Sequence, residues 1–233
     1  MTVQAKTPPV DLGGQRVLIT QAGEFMGPTL CAVFGECGAE VIADQDPLTD
    51  AAAPAAVIAR AGQVDTLIVN LAYPAPRTSA DAITDDEWRS VFAALVDPLP
   101  RLVRAVLPQM SARGKGRILV MGSAAPMRGM PRTGSYTAAR GAQLGYVQAV
   151  GVELASKGVR VNAIAQNFVE NPTYYPPEVA QNPKFQARLA REVPLGRLVT
   201  DREDALFAAM LCAPGIDCFV GQAFPVSGGW AVR

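Results

Sequence analysis

Arg16-Val17-Leu18-Ile19-Thr20, followed by Gln21-Ala22-Gly23-Glu24-Phe25-Met26-Gly27, decides the fold. The first five residues are a short β-branched run and predict a strand. Gly27 to Glu36 then carries apolar residues at helical spacing, and Gly38 supplies the stop expected just past a helix. Working outward, Ala39 to Ala43 reads as a second strand. Ala51 to Ala61 reads as a weak helix, in which Pro54 fits only the first turn. Asp65 to Asn70 is apolar nearly throughout, as strands buried on both faces of a parallel sheet are. Thr84-Asp85-Asp86-Glu87 predicts a capping box opening a helix. Pro98 interrupts or restarts that helix, which continues to about Ala112. Strands are expected at Arg117–Met121, Val159–Ile164 and Gln222–Val226. Helices are expected at Ser135–Lys157, ended by Gly158, and at Asp201–Cys212. Residues 166–194, rich in proline and aromatics, read as irregular.

Strands alternating with helices imply an α/β chain with a doubly wound, Rossmann-like parallel sheet. Such sheets bind ligands beyond the carboxyl ends of their strands. Four segments fall there: the turn after Thr20, the stretch after Asn70, Ser123, and the loop from Gln166. They are expected to meet in one cleft. The 233 residues suit a single domain. Residues 1–11 read as a flexible tail and 12–233 as the catalytic domain, with a loop at 166–194.

Composition removes several classes of function. The 21 basic and 21 acidic residues balance, so no basic footprint for nucleic acid stands out. No run approaches the roughly 18 apolar residues of a membrane span, and the N-terminus lacks the apolar core of a secretory signal. Cys31, Cys37, Cys212 and Cys218 form no CxxC and read as small core residues, with a reduced, cytoplasmic setting as the default. No histidine is present, which argues against a zinc site and excludes histidine-based triads.

Proton transfer therefore needs another group. Ser123 follows a buried strand, Tyr136 lies thirteen residues on, and Arg140 stands one helical turn beyond Tyr136 on the same face. A free phenol is a poor base at neutral pH, but a fixed guanidinium nearby favours the phenolate. This spacing predicts Tyr136 as base and acid, Arg140 as its electrostatic partner, and Ser123 as a hydrogen-bonding group for a substrate oxygen.

The pattern S-x12-Y-x3-R resembles the catalytic triad of the halohydrin dehalogenases, relatives of the short-chain dehydrogenases/reductases, which carry lysine where Arg140 stands. The resemblance runs from about Arg16 to Trp230. The GSAA stretch at Gly122–Ala125 and the run VPLGRLVTDREDAL at Val193–Leu206 resemble B-type members most. A dehydrogenase would read TGxxxGxG after the first strand, the glycines letting the backbone approach a pyrophosphate. Here Gln21 and Phe25 take two of the three glycine positions, and T-x4-F-x-G is similar to the dehalogenase signature. Asn70-Leu71-Ala72-Tyr73 replaces NNAG, Gln166-Asn167 replaces a PG pair, and Leu95 takes the place of the proton-relay asparagine. Asp44, which could have bound an adenine ribose, reads as a solvated loop residue. No cofactor is expected. The open alternative is an NAD(P)-dependent reductase with a degenerate cofactor loop.

The resemblance implies dehalogenation of vicinal haloalcohols to epoxides, and reverse ring opening by azide, cyanide or nitrite. It implies a halide nest from Phe25, Gln166, Asn167, Phe168, Val169 and Tyr174. Backbone N–H groups and the positive edges of aromatic rings can hold such an anion. For the aromatics of this loop, Tyr175 included, ordinary packing is the competing reading. Tyr73, Ala125, Met130 and Tyr174 match pocket-lining positions. Trp230 reads as surface or interface packing, with a neighbouring subunit's pocket as the alternative. Helices resembling Pro98–Ala112 and Ser135–Lys157 pair subunits in this superfamily, so a homotetramer is implied.

Overall fold

A computed structural model describes residues 10–232. Its centre is a six-stranded, wholly parallel sheet: β1 (Arg16–Ile19), β2 (Glu40–Ala43), β3 (Thr66–Asn70), β4 (Gly116–Ser123), β5 (Val159–Gln166) and β6 (Ala223–Val226), in the order β2-β1-β3-β4-β5-β6. The order reverses between β1 and β3, which opens a crevice at their carboxyl ends.

The strands are apolar at nearly every position because each serves two cores. Val17, Ile19 and Ile68 point to one side, where α1 (Gly27–Glu36) and α9 (Asp201–Leu211) pack on each other. Leu18, Leu67 and Val69 point to the other. There they meet α2 (Ala53–Ala61), α4 (Pro98–Arg113) and α6 (Gly134–Leu154), with the short α5 (Ala125–Arg128) packed against α6. The period-two alternation of a strand sends successive residues to opposite faces, so both sets must be apolar.

The punctuation residues act as expected. Pro54 lies in the first turn of α2. Pro98 opens α4 after α3 (Asp85–Leu95) has ended. Gly158, left-handed at φ +75°, stops the chain after α6 and one 3-10 turn at Ala155–Lys157. A side chain there would collide with the carbonyl of Gly114.

Several expectations are corrected. Residues 166–194 are not irregular throughout: they contain α7 (Pro177–Ala180) and α8 (Pro183–Glu192). Asn182 caps α8, accepting from the N–H of Lys184 at 2.9 Å, and Pro183 begins it. That Asn-Pro start signal is in the sequence. The capping box at Thr84 is only half formed. Thr84 Oγ1 accepts from the N–H of Glu87, but the Glu87 carboxylate turns outward to Thr78 Oγ1 (2.6 Å) and Ser135 Oγ (2.5 Å). The reciprocal box forms instead at Thr200 and Glu203, opening α9. Asp44 is not solvated. It is 6% exposed and paired to Arg60 at 2.5 Å, which accounts for a carboxylate at the edge of the core. Of the expected tail, residues 1–9 lie outside the described residues. Val10 already packs into the core beside α1, and Asp11 accepts from the N–H of Gly13. Cys37 and Cys212 are buried as core residues, whereas Cys31 is half-buried and Cys218 exposed.

Candidate active site

The crevice beyond β1, β3, β4 and β5 holds a pocket of about 110 Å³. The four segments expected to converge do so. The pocket is walled by Phe25 and Met26, by Ala75 and Arg77, by Gly122 and Ser123, and by the run from Gln166 to Val169. Tyr136 and Arg140 enter from the first turns of α6, and Met130, Asn171, Tyr174 and Tyr175 complete the wall.

Ser123 is the last residue of β4, and its strand partner in register is Gln166, the last of β5. Ser123 Oγ accepts from the N–H of Ala125 at 3.1 Å. That leaves the serine O–H free to donate into the pocket. Ala125 is itself wholly buried and does not line the cavity: it acts through its backbone, and the expectation that its side chain faces substrate is corrected. Tyr73 is corrected too. It packs against the central core outside the pocket, because the chain after β3 turns so that Ala75 and Arg77 face inward instead.

Arg140 is 5% exposed; both terminal nitrogens of its guanidinium are engaged, while its buried Nε has no hydrogen-bond partner. Its guanidinium lies over the Tyr136 ring, with Cζ 5.2 Å from the centroid. Nη1 donates to the carbonyl of Met121 (3.2 Å) and to Gln143 Oε1 (3.0 Å), and Nη2 donates to the carbonyl of Leu71 (3.1 Å). Gln143 passes the chain on to the carbonyl of Leu95 at 2.6 Å. The cation therefore addresses Tyr136 through the ring face, where a fixed planar charge is favourable. It also ties together the ends of β3 and β4. Leu95 contributes a backbone carbonyl here and no side-chain polarity.

The turn after β1 keeps the backbone shape of a glycine turn without two of its three glycines. Gln21 and Phe25 both adopt positive φ, 45° and 46°. Such angles cost energy for side-chain-bearing residues and persist only where the surroundings enforce them. Asn70 does so: its Nδ2 donates to the carbonyls of Gln21 and Glu24, both at 3.0 Å. Gln21 Oε1 accepts from the N–H of Ala72. The third glycine is still required, since a Cβ on Gly27 would fall 2.5 Å from the carbonyl oxygen of Ala22. Phe25 turns its ring into the pocket, 5.4 Å from that of Tyr174.

The loop from Gln166 has the same character. Phe168 is left-handed at φ 52° and 2% exposed. Asn167 Oδ1 accepts from the N–H of Phe168 at 2.9 Å. Tyr174 receives the N–H of Ala75 on its hydroxyl at 2.9 Å. Burial, and then the neighbouring Tyr136, push the Tyr174 phenol well above its ordinary range, so it stays protonated. Burial likewise pushes Tyr175 up to about 12. Trp230 is not at the surface of the chain. It is 6% exposed, meets the Phe168 ring at 6.1 Å and lies beneath Arg128, whose Nη1 donates to the Trp230 carbonyl at 2.7 Å. Phe25, Phe168, Tyr174 and Tyr175 thus pack with other aromatics and line the pocket at once.

Five residues of the site were not singled out in the sequence. Met26, Ala75, Arg77 and Asn171 line the cavity, but nothing in their local pattern marks them. Asp204 donor-matches Gln166 from α9, accepting from Gln166 Nε2 at 2.6 Å, and burial pushes its carboxyl up to about 7. Asp204 shares an acidic first turn with Asp201 and Glu203, so nothing in the local pattern marks it. Among the described residues no group of acids and cysteines could hold a metal, and no helix is long and apolar enough to cross a membrane.

Residues 13–231 match the family model described as enoyl-(acyl carrier protein) reductase. A 2-keto-3-deoxy-L-fuconate dehydrogenase of Xanthomonas campestris pv. campestris is 30% identical, over 99% of this chain and 85% of that protein. A putative ketoacyl reductase of Streptomyces coelicolor is 34% identical over 75% of this chain and 70% of its own. Among solved structures, one titled "Dehalogenation enzyme" superposes with a TM-score of 0.88 at 31% identity, covering 94% of this chain and 99% of that one. A gluconate 5-dehydrogenase from Burkholderia cenocepacia, in complex with NADP and tartrate, gives 0.85 at 26%, covering 94% and 96%. The single-domain parallel sheet, the position of its crevice and these matches agree, and the chain belongs to the short-chain dehydrogenase/reductase superfamily, in the enoyl-(acyl carrier protein) reductase family.

Proposed function

We propose that the protein is a halohydrin dehalogenase acting without a nucleotide cofactor. The observation that carries this reading is the pairing of Tyr136 with a buried Arg140 in a pocket whose glycine turn is filled by Phe25. The superfamily fold would normally receive a nicotinamide dinucleotide in this crevice, and the residues here do not fit one. The Phe25 ring and the Gln21 side chain occupy the turn that a pyrophosphate must approach closely, and Arg140 is committed to carbonyls and to the Tyr136 face.

Ser123 donates to the substrate hydroxyl and orients it. Tyr136, as phenolate, takes the hydroxyl proton. The alkoxide oxygen forms a bond to the adjacent carbon while the carbon–halogen bond breaks, its electron pair leaving with the halide. The products are an epoxide, a halide ion and a proton passed to solvent. Both reacting atoms belong to one molecule, so no covalent enzyme intermediate is needed. Phe25, Gln166, Asn167, Phe168, Val169 and Tyr174 form the side of the pocket that receives the halide, with Met130 on the substrate side. The reverse reaction opens epoxides with azide, cyanide or nitrite. The outer faces of α4 and α6 carry a shallow groove that includes Val103, Leu107, Tyr146 and Val150, next to the exposed Val152. This supports a homotetramer paired through these helices.

The test is nucleotide-free incubation with 1,3-dichloro-2-propanol. Chloride release is expected, and Tyr136→Phe is expected to abolish it with the fold intact; no release from any of several haloalcohols would overturn the reading. The second reading, an NAD(P)-dependent reductase, is favoured by the activities named for the curated relatives. Fluorescence titration with NADH and NADPH separates them: tight binding supports the reductase.

A further inference from the structure

Asp204 is wholly buried in the fourth position of α9, behind the pocket. Its Oδ2 accepts from Gln166 Nε2 at 2.6 Å, while its Oδ1 has no hydrogen-bond partner. Gln166 in turn lines the pocket and is the register partner of Ser123, with its own carbonyl accepting from the N–H of Ala124. An orphaned, buried carboxylate oxygen is costly, and no structural need for an acid at this point is evident. A carboxylate only accepts, so it holds the amide nitrogen of Gln166 toward α9 and leaves the amide oxygen, an acceptor, for the other side. A carboxylic acid can donate instead. It can bond the amide oxygen, and the amide then turns its N–H groups toward the pocket.

We propose that Asp204 is a proton-linked positioning residue that sets whether Gln166 offers the pocket its N–H or its carbonyl oxygen, so that protonation of Asp204 strengthens anion binding. The inference rests on reading the pocket as an anion site. Both consequences of protonation have the same sign, since the acid loses its own negative charge as it frees a donor. The charged groups around Asp204 leave it uncompensated. On its own helix Asp201 raises its pKa further, Arg202 is paired with Glu36 of α1, and Glu203 with Arg197 of the preceding loop. From α1 Thr29 bonds Asp201, and from β5 only Gln166 bonds Asp204. Among the described residues no cation forms an ion pair with it. Burial first, and Asp201 after it, place the titration near neutrality, at about 7.

Chloride-35 NMR line broadening reads anion binding directly, without turnover. In the wild-type protein, chloride affinity is expected to fall roughly tenfold as pH rises from 6 to 8. In Asp204→Asn, which neither gains nor loses a proton, the affinity is expected to be flat over that range. Folding supplies a separate readout. Between the ordinary carboxylate range and about 7 the native state binds the proton that the unfolded chain releases. Wild-type stability therefore declines as pH rises through that window. Asp204→Asn escapes the decline, so it is expected to melt several degrees above wild type at pH 8, with the gap closing toward pH 5. A pH-independent wild-type affinity, no chloride broadening at any pH, or the same pH dependence in Asp204→Asn would each overturn the proposal. Haloalcohol turnover with flat chloride binding would sink this inference alone. A pH-dependent chloride site without turnover would sink only the dehalogenase reading.

Discussion

Arg140 has more bonds to satisfy than a charge partner for Tyr136 requires. Its guanidinium lies over the ring while three N–H donors reach Leu71, Met121 and Gln143. A lysine offers one compact head and cannot span those carbonyls while lying flat on a ring. Arg140→Lys is therefore expected to lower kcat/KM for a haloalcohol by about 100-fold or more. It is also expected to destabilise the fold by about 1–3 kcal/mol through a carbonyl left unpaired. Steady-state kinetics and urea unfolding check both. At this scale the sequence was informative where chemistry limits the choice of residue. With no histidine present, Tyr136 and Arg140 one turn apart left few other proton-transfer devices. It was uninformative where a position depends on how the chain leaves a strand. Tyr73 and Ala75 are two residues apart, and only the turn after β3 decides which of them faces the pocket.

At the scale of elements, the strands and helices were legible because burial on two faces and on one stripe leaves different periodicities. Helix ends were less so. Thr84 and Thr200 stand at the heads of similar acidic first turns, yet only Thr200 gains the reciprocal bond. Near Thr84, the hydroxyls of Thr78 and Ser135 compete for Glu87. That competition is tertiary and leaves no local trace. The same bonds clip α3 to the start of α6, one residue before Tyr136. The C-terminal segment behaves similarly. Trp230 fills the space beneath Arg128 and beside Phe168. Trp230→Ala is expected to cost about 3 kcal/mol, the usual range for emptying a buried aromatic site. It is also expected to loosen the left-handed Phe168 turn. Thermal unfolding measures the first effect and chloride binding the second; an unchanged melting temperature would contradict the packing role.

For the whole molecule, the position of the pocket follows from topology: strand order reverses between β1 and β3, and four distant segments meet above that point. Descent from the same superfamily as NADP-binding dehydrogenases fixes that architecture without fixing the chemistry, because function resides in the site carried by the fold. Assembly belongs to this scale as well. The proposed homotetramer would give a particle about four times the 24.5 kDa chain mass in gel filtration with light scattering. A monomer would contradict the proposed tetramer. In the proposed reaction, the residues that block the nucleotide turn also build a halide site served by Tyr136. The most direct test is the simultaneous recording of chloride and proton release from 1,3-dichloro-2-propanol by protein stripped of nucleotide. One proton is expected for each chloride, with no dependence on added NADH or NADPH. No chloride release, or turnover only when a nicotinamide nucleotide is supplied, would contradict it.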